Sequence, residues 1–408
     1  MTASPPDPTL AHWQAQTAAR RAQHLYRQSR VNPAAENAGQ VFNSNDYLGL
    51  MRHPALAAAL AEGAQRWGTG SGGSHLISGH TAAHQALDDA LAAWFAPHIA
   101  QAAALSFSTG YMANFALLTG LADGDTTIFA DKLNHASLID GALLARAQTQ
   151  CQLRRYPHAD YAALERQLQA CSSAHKLIVT DGVFSMDGDI VDLPRLLQLA
   201  EQYQAWVLMD DAHGIGTLGT QGMGGQGCVA HFGLSQAQRL CVVATFGKGA
   251  GCAGAAIIAP APVVEWLTQA ARPYIYTTAS SPAMAHALQA SVALMQGHEG
   301  QMRREQLGLV IHAFRGQMQA ALPSMNPAWH LLPSDTAIQP LVVGDNATAL
   351  ALADGLQRAG FAVSAIRPPT VPVGTARLRF TLSAAHQAED VAALVQALQS
   401  VAAGLSGL

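Results

Sequence analysis

Lysine occurs at only three places in the 408 residues: Lys132, Lys176 and Lys248. Lys248 stands in CVVATFGKGAGCAG (241–254). There the apolar run from Cys241 to Phe246 reads as a buried strand that delivers Thr245, Gly247, Lys248 and Gly249 to a turn. An ammonium beside an apolar strand costs free energy unless it is paired or neutralised. A lysine held neutral is a nucleophile, and Schiff-base chemistry uses one. A lysine that caps the strand end and reaches solvent suits this stretch equally well. Because Gly249 follows it, and not Ser or Thr, Lys248 does not belong to a phosphate-binding P-loop.

Asp210 ends the apolar run WVLM and is followed by Asp211 and His213. A two-residue strand period sends the adjacent carboxylates to opposite faces, so they do not act as a pair. One carboxylate facing a cationic ring nitrogen suits a pyridinium cofactor; an Asp capping the next turn is the plainer alternative. HGIGTLG (213–219) contains G-x-G-x-x-G, a dinucleotide fingerprint and hence a dehydrogenase signal. The residues that follow, TQGMGGQG, cannot open a helix, which leaves a phosphate no helix N-terminus to sit on. STGYMAN (108–114) is the better phosphate site, because small residues precede a helix start. Thr245 and Ser185 offer hydroxyl donors to it. His135 follows a strand and reads either as a site residue or as a core histidine. Arg367 in AIRPPT is held extended by the prolines after it and is suited to a carboxylate, or is a surface arginine.

The elements that position these groups alternate. AAALSF, TTIFAD, QLRRYPH, AWVLMDDAHG and the run from Cys241 to Phe246 read as strands, and KLIVTDGVFSMDGD as a strand followed by a polar turn, separated by 10–15-residue helical patterns. This pattern specifies a mostly parallel sheet wound by crossover helices, with a site beyond the carboxyl ends of its strands. Ser108, Gly110, Asn134, His135, Ser185, Asp210, His213, Thr245 and Lys248 each come just after a predicted strand. Upstream, residues 9–29 read as an amphipathic helix, 41–50 as a strand ending in a polar turn, 54–67 and 81–95 as helices, and 68–80 as a glycine-serine loop. After Pro282 the pattern changes. Helices over 282–322, strands at 338–344, 361–369 and 376–384, and helices at 346–359 and the C-terminus predict a smaller α+β domain. The expected organisation is an N-terminal segment (1–45), a large domain (46–285) and a small C-terminal domain (286–408).

Half of the residues are hydrophobic and 12% are charged, against roughly 25% charged in an average soluble protein. The net charge of −4 excludes the basic stripe of a nucleic-acid binder. The five cysteines form no CxxC pair, so neither a disulfide framework nor a metal site is expected. MTASPPDPTL has no secretory signal, and no apolar run approaches the ~20 residues of a membrane span. A cytoplasmic protein without membrane contact is expected.

FNSNDYLGL, GTGSGGSHLISGH, STGYMAN, NHASLIDGA, TDGVFSMDGD, DDAHGIGTLG, TFGKGAG, RPYIYTTA and AIRPPTVPVGTARLR, in this order, resemble the α-oxoamine synthases. These are enzymes of fold type I that depend on pyridoxal 5'-phosphate (PLP). The resemblance runs from about residue 12 to the C-terminus. It implies that Lys248 forms the Schiff base with PLP, that Asp210 binds the pyridinium nitrogen and His213 the ring oxygen, and that His135 stacks on the ring. It places Gly110, Tyr111, Ser185 and Thr245 around the cofactor, mainly at its phosphate. It gives Asn45 and Arg367 the amino-acid carboxylate and Thr370 a substrate contact. It brings Arg27 to the acyl substrate, with Arg20, Arg21 and Arg30 as alternatives. AIRPPTVP and IQPLVVGDN favour the biotin-pathway member, which joins L-alanine to a pimeloyl thioester of CoA or acyl carrier protein. The resemblance also implies a homodimer in which GSGGS and YTT complete the partner's site. A dehydrogenase built on GIGTLG and a catalytically inactive partner subunit are the rivals; the presence of Lys248, His135 and Asp210 argues against the second.

Overall fold

The computed structural model describes residues 7–23, 25–26, 29, 40–220 and 223–405. The chain divides into two units, Met1–Ala38 and Gly39–Leu408. In the first unit, helix α1 (Pro8–Ala22) starts on the Asp7 carboxylate, which accepts from the Thr9 N–H at 2.8 Å. The expected helix over 9–29 stops at Ala22. None of its residues is buried, so no packing extends it beyond its own propensity.

In the second unit the strands are β1 (Ala102–Phe107), β2 (Thr126–Asp131), β3 (Gln152–Tyr156), β4 (His175–Asp181) and β5 (Trp206–Asp210). A hairpin, β6 (Ile215–Thr220) and β7 (Met223–Gln226), follows, and then β8 (Leu240–Thr245) and β9 (Ala255–Pro260). Seven of these form one sheet in the order β1-β9-β8-β5-β4-β2-β3. All pairings are parallel except those of β9, which runs against both β1 and β8. β2 and β9 are buried at every position, as expected of strands covered on both faces. The covering helices are α2 (Pro54–Trp67), α3 (Ala82–Phe95), α4 (Gly110–Leu121), α5 (Ala136–Thr149), α6 (Tyr161–Gln169) and α7 (Leu193–Tyr203). Short α8 (Cys228–His231), α9 (Ala261–Ala270), α10 (Arg272–Ile275), α11 (Pro282–Gln296) and α12 (His298–Met325) complete this part.

The smaller sheet has the order β10 (His330–Leu331), β11 (Ile338–Gly344), β13 (Ala376–Thr381), β12 (Ser364–Ile366) and is antiparallel throughout. Helices α13 (Asn346–Arg358) and α14 (Ala388–Leu405) accompany it, and Phe314 of α12 meets Phe380 of β13 at 5.2 Å between ring centroids. The α/β architecture and the smaller α+β part thus follow the alternation read in the sequence.

Two predicted strands differ. Residues 41–50 make only a single bridge, Val41 to Ala362. The Asp46 carboxylate instead accepts the Leu50 N–H at 2.9 Å and closes a turn, while Tyr47, Leu48 and Leu50 are fully buried. A short carboxylate that satisfies the backbone locally outcompetes a ladder. The strand expected at 361–369 shortens to Ser364–Ile366, because Pro368 and Pro369 have no N–H to donate.

Candidate active site

The carboxyl ends of β1, β2, β4, β5 and β8 meet at a cleft of about 400 Å³. Asn45, Thr109, Gly110, Tyr111, His135, Asp181, Asp210, His213, Thr245 and Lys248 line it. A larger groove of about 800 Å³ lies at the opposite ends of the strands, around Lys176, Trp206, Arg239 and Trp266. We assign chemistry to the smaller cleft, because it combines a half-buried lysine, carboxylates and two histidines.

Lys248 Nζ lies 3.0 Å from His213 Nε2. The other ring nitrogen of His213 meets the Tyr47 hydroxyl, and that hydroxyl donates to Asn45 Oδ1 at 3.1 Å. Burial lowers the Lys248 pKa from its usual value; Asp210 and Asp181 oppose this, and Arg379 adds to it. Burial, then Lys248 and Arg379, hold His213 neutral. A neutral imidazole therefore faces an amine whose proton is easily lost.

Asp210 is buried, and both of its oxygens are held. Asn114 Nδ2 donates to Oδ2 at 2.6 Å, and the Ala212 N–H donates to Oδ1 at 3.0 Å. Beside it in register on β4 is Asp181. Burial first, then the neighbouring Asp210, pushes the Asp181 pKa well up. Asp181 Oδ2 accepts the His135 N–H at 2.7 Å, and His135 Nδ1 meets Ser137 Oγ at 2.7 Å. These contacts fix the ring at the start of α5. Asp211 points the other way, as the strand period requires. Its carboxylate accepts the Cys228 N–H at 2.7 Å in a pocket made by glycines 182, 214 and 227, where a Cβ would come within 2.5, 2.1 and 1.9 Å of it.

At the far end of the cleft, Thr109 caps α4 by accepting the Met112 N–H at 3.2 Å. The first helical N–H groups have no partner inside the helix, and Gly110 and Tyr111 of that first turn line the cleft. Gly110 is required there, because a Cβ would stand 2.4 Å from Thr245 Cγ2. The Thr245 hydroxyl is buried with no hydrogen-bond partner among the described residues.

The sequence pattern of the family "aminotransferase class I and II" matches residues 40–398. The 8-amino-7-oxononanoate synthase of Leptothrix cholodnii is 60% identical over 367 residues, 90% of this chain and 88% of its own length. The chain belongs to the 8-amino-7-oxononanoate synthase family. Among solved structures, SPT with a PLP internal aldimine superposes with a TM-score of 0.86 at 25% identity, covering 99% of this chain and 100% of its own. The 8-amino-7-oxononanoate synthase of Francisella tularensis gives 0.74 at 28%, covering 91% and 100%.

Of the residues expected around PLP, Lys248, Asp210, His213, His135, Gly110, Tyr111 and Thr245 line one cleft, as does Asn45, expected at the substrate; Ser185 does not line it. Tyr111 is exposed and donates to Asp140. Ser185 is partly buried and contributes its carbonyl, which accepts Arg379 Nε at 2.6 Å. Arg367 and Thr370 lie on the turn after β12, Thr370 exposed, and neither lines the cleft. Arg27 and Arg30 lie outside the described residues; Arg20 and Arg21 are exposed on α1.

The site residues not anticipated are Tyr47, Asn114, Asp181 and Arg379. Asp181 closes an apolar strand as Asp210 does, which was a usable signal. Arg379 is buried on β13 and donates to Asn45 Oδ1 from two nitrogens at 3.4 Å. Period two puts Arg377 and Arg379 on one face of ARLRFT, a pattern that flags buried cations.

The donor set suits PLP. The orphaned Thr245 hydroxyl and the α4 N-terminus match a phosphate, the oriented Asp210 carboxylate matches a protonated ring nitrogen, and Lys248 matches an aldehyde. GIGTLG, by contrast, runs into the β6–β7 hairpin and opens no helix, so the dinucleotide reading has no phosphate seat.

Proposed function

We propose that the chain condenses L-alanine with a pimeloyl thioester of CoA or acyl carrier protein, releasing 8-amino-7-oxononanoate, CO2 and free thiol, in biotin biosynthesis. The family membership supports this, and so does the single observation that an amine with a lowered pKa, a neutral histidine and a buried, doubly bonded carboxylate share one cleft. When bound, PLP supplies the electron sink for the alanine Cα. Lys248 Nζ is the group that takes and returns the Cα proton; burial lowers its pKa, and His213 at 3.0 Å orients it. Asp210, fixed by Asn114 and Ala212, holds a positive charge at the ring nitrogen. Asn45 receives the α-carboxylate, together with Arg367 as the resemblance implies, and Arg379 holds the Asn45 amide from behind at 3.4 Å. The resemblance gives Thr370 a substrate contact and assigns the distal carboxylate of the acyl chain to Arg27, which lies outside the described residues. The setting is cytoplasmic; among the described residues no helix is long and apolar enough to cross a membrane.

Carboxyl-labelled alanine with pimeloyl-CoA tests the reading. Each turnover should release one thiol and one labelled CO2, and Arg379→Ala should require far more alanine for the same rate. Thiol release with the label retained in the organic product would sink the decarboxylative step.

The same reading includes a homodimer. Leu76, Ile77 and Tyr276 are 46%, 84% and 71% exposed on two strips of chain joined by the Ser74–Thr278 bridge. Such an apolar patch beside glycine-serine loops suits a second copy of the chain. Light scattering should give twice the chain mass at assay concentration; an active monomer would refute it.

A further inference from the structure

His158 lies outside the cleft, and no step above uses it. It follows β3, and each of its ring nitrogens faces a carboxylate. Nδ1 is 3.1 Å from Asp131 Oδ1 and 3.2 Å from Oδ2, and Nε2 is 3.0 Å from Asp189 Oδ2. Two nitrogens that both donate to carboxylates require the imidazolium. The edge of Phe184 packs against the ring at 4.4 Å between centroids. Burial opposes the charge, but the bonds to Asp131 and Asp189 outweigh it and raise the pKa to about 10.

The two carboxylates belong to two different pieces of the site. Asp131 ends β2 and also accepts the N–H groups of Leu133 at 2.8 Å and Ala159 at 3.1 Å. The turn it shapes leads directly to Asn134 and His135. Asp189 belongs to the 184–189 turn, closed by Phe184 N–H to Asp189 O at 3.0 Å and Gly188 N–H to Phe184 O at 2.8 Å. That turn presents the Ser185 carbonyl to Arg379 at 2.6 Å, and Met186 O and Asp187 to Arg377 at 3.1 and 2.7 Å. Asp187 is thus already paired and does not compete for His158. Other titratable groups close to the clamp are Tyr156 and Tyr161, whose phenols are kept neutral by burial, Asp192 beside Tyr161, and Asp181, whose pKa is pushed up by burial, Asp210 and Asp131.

We propose that His158 is a positioning residue for the condensation: its imidazolium ties the turn that carries His135 to the turn that anchors Arg379, and so fixes the spacing between His135 and the Asn45–Arg379 pair. This rests on the reading that those two groups flank the alanine substrate. Catalytic groups lose rate steeply when displaced, by on the order of 10²-fold for an ångström. One cation held between two carboxylates adds a charged link from the hydrogen-bonded β2–β3 pair to the 184–189 turn.

The test uses the holoenzyme and the variants His158→Gln and Asp189→Asn. The expected result is a fall in kcat of about 10–100-fold with alanine, with cofactor absorbance retained. The double variant should be no worse than the more damaged single one, since both break the same link. Full kcat and KM in His158→Gln with only a lowered melting temperature would make His158 a simple stability contact and overturn the proposal. Should His158→Gln not fold, ¹⁵N-histidine NMR of the wild-type chain, with and without PLP, decides. Both ring N–H signals of His158 should persist at pH 8, and a neutral ring there overturns the proposal. Turnover of alanine and pimeloyl-CoA by the wild type in the same assay separates failure of this proposal from failure of the functional reading.

Discussion

Replacing Lys248 with alanine abolishes turnover while leaving a folded chain that still binds PLP noncovalently. The fold should survive because the turn is held by its backbone: Gly251 N–H donates to Lys248 O at 2.9 Å, and Cys252 N–H to Phe246 O at 2.9 Å. Neither bond uses the side chain. Removing a buried amine also relieves a desolvation cost. The loss is chemical, since the amine 3.0 Å from His213 that would carry the Cα proton is gone. Borohydride reduction of the wild type followed by peptide mapping should find the cofactor on Lys248. Label on exposed Lys132, or on Lys176 in the groove at the other end of the sheet, would overturn the assignment.

Asp210→Asn should cost far more activity than Asp211→Asn. A neutral amide cannot hold a protonated ring nitrogen, and loss of an oriented buried charge pair costs about 2–5 kcal/mol, or ~10²-fold or more in rate. Asp211 should register in stability instead. Burial first lifts its pKa from 3.8 to about 7 in the fold. Between those values the unfolded chain gives up this proton before the native one does. Asp211 therefore weakens the fold as pH rises from about 4 to 7. Asp211→Asn should flatten that part of the melting-temperature profile and leave kcat within a few-fold. Comparable kcat in the two variants would remove the role given to Asp210.

The groups read most clearly from the sequence are those that end apolar strands. Asp210, His213, Thr245 and Lys248 were legible because a strand buried on both faces has few polar residues, so its first polar neighbours mark the sheet edge where a site forms. Tyr47 was not, because the alternating apolar residues of VFNSNDYLGL imitate a strand while Asp46 bonds the backbone of its own turn. Asn114 was hidden on α4, where a polar residue inside an apolar helix has no sequence mark of its partner, Asp210, 96 positions away. Arg379 was not anticipated beside Arg367. The prolines beside Arg367 announce a fixed backbone, but only the antiparallel pairing of β13 with β11 and β12 buries the other arginine against Asn45.

The reversal of β9 has a mechanical consequence. His135 and the start of α4 sit where a strand hands over to a helix, and such junctions can pivot with the helix. Lys248 sits on a loop whose two stems, β8 and β9, are zipped together from Val242–Ile258 to Thr245–Ala255 within the same sheet. Swinging that loop would require unzipping the middle of the molecule. The amine's travel between its tasks is therefore confined to rotation about its own four-carbon stem, like a pen arm on a bolted carriage. Substrates must come to it, and any closing motion during turnover belongs to the other walls of the cleft.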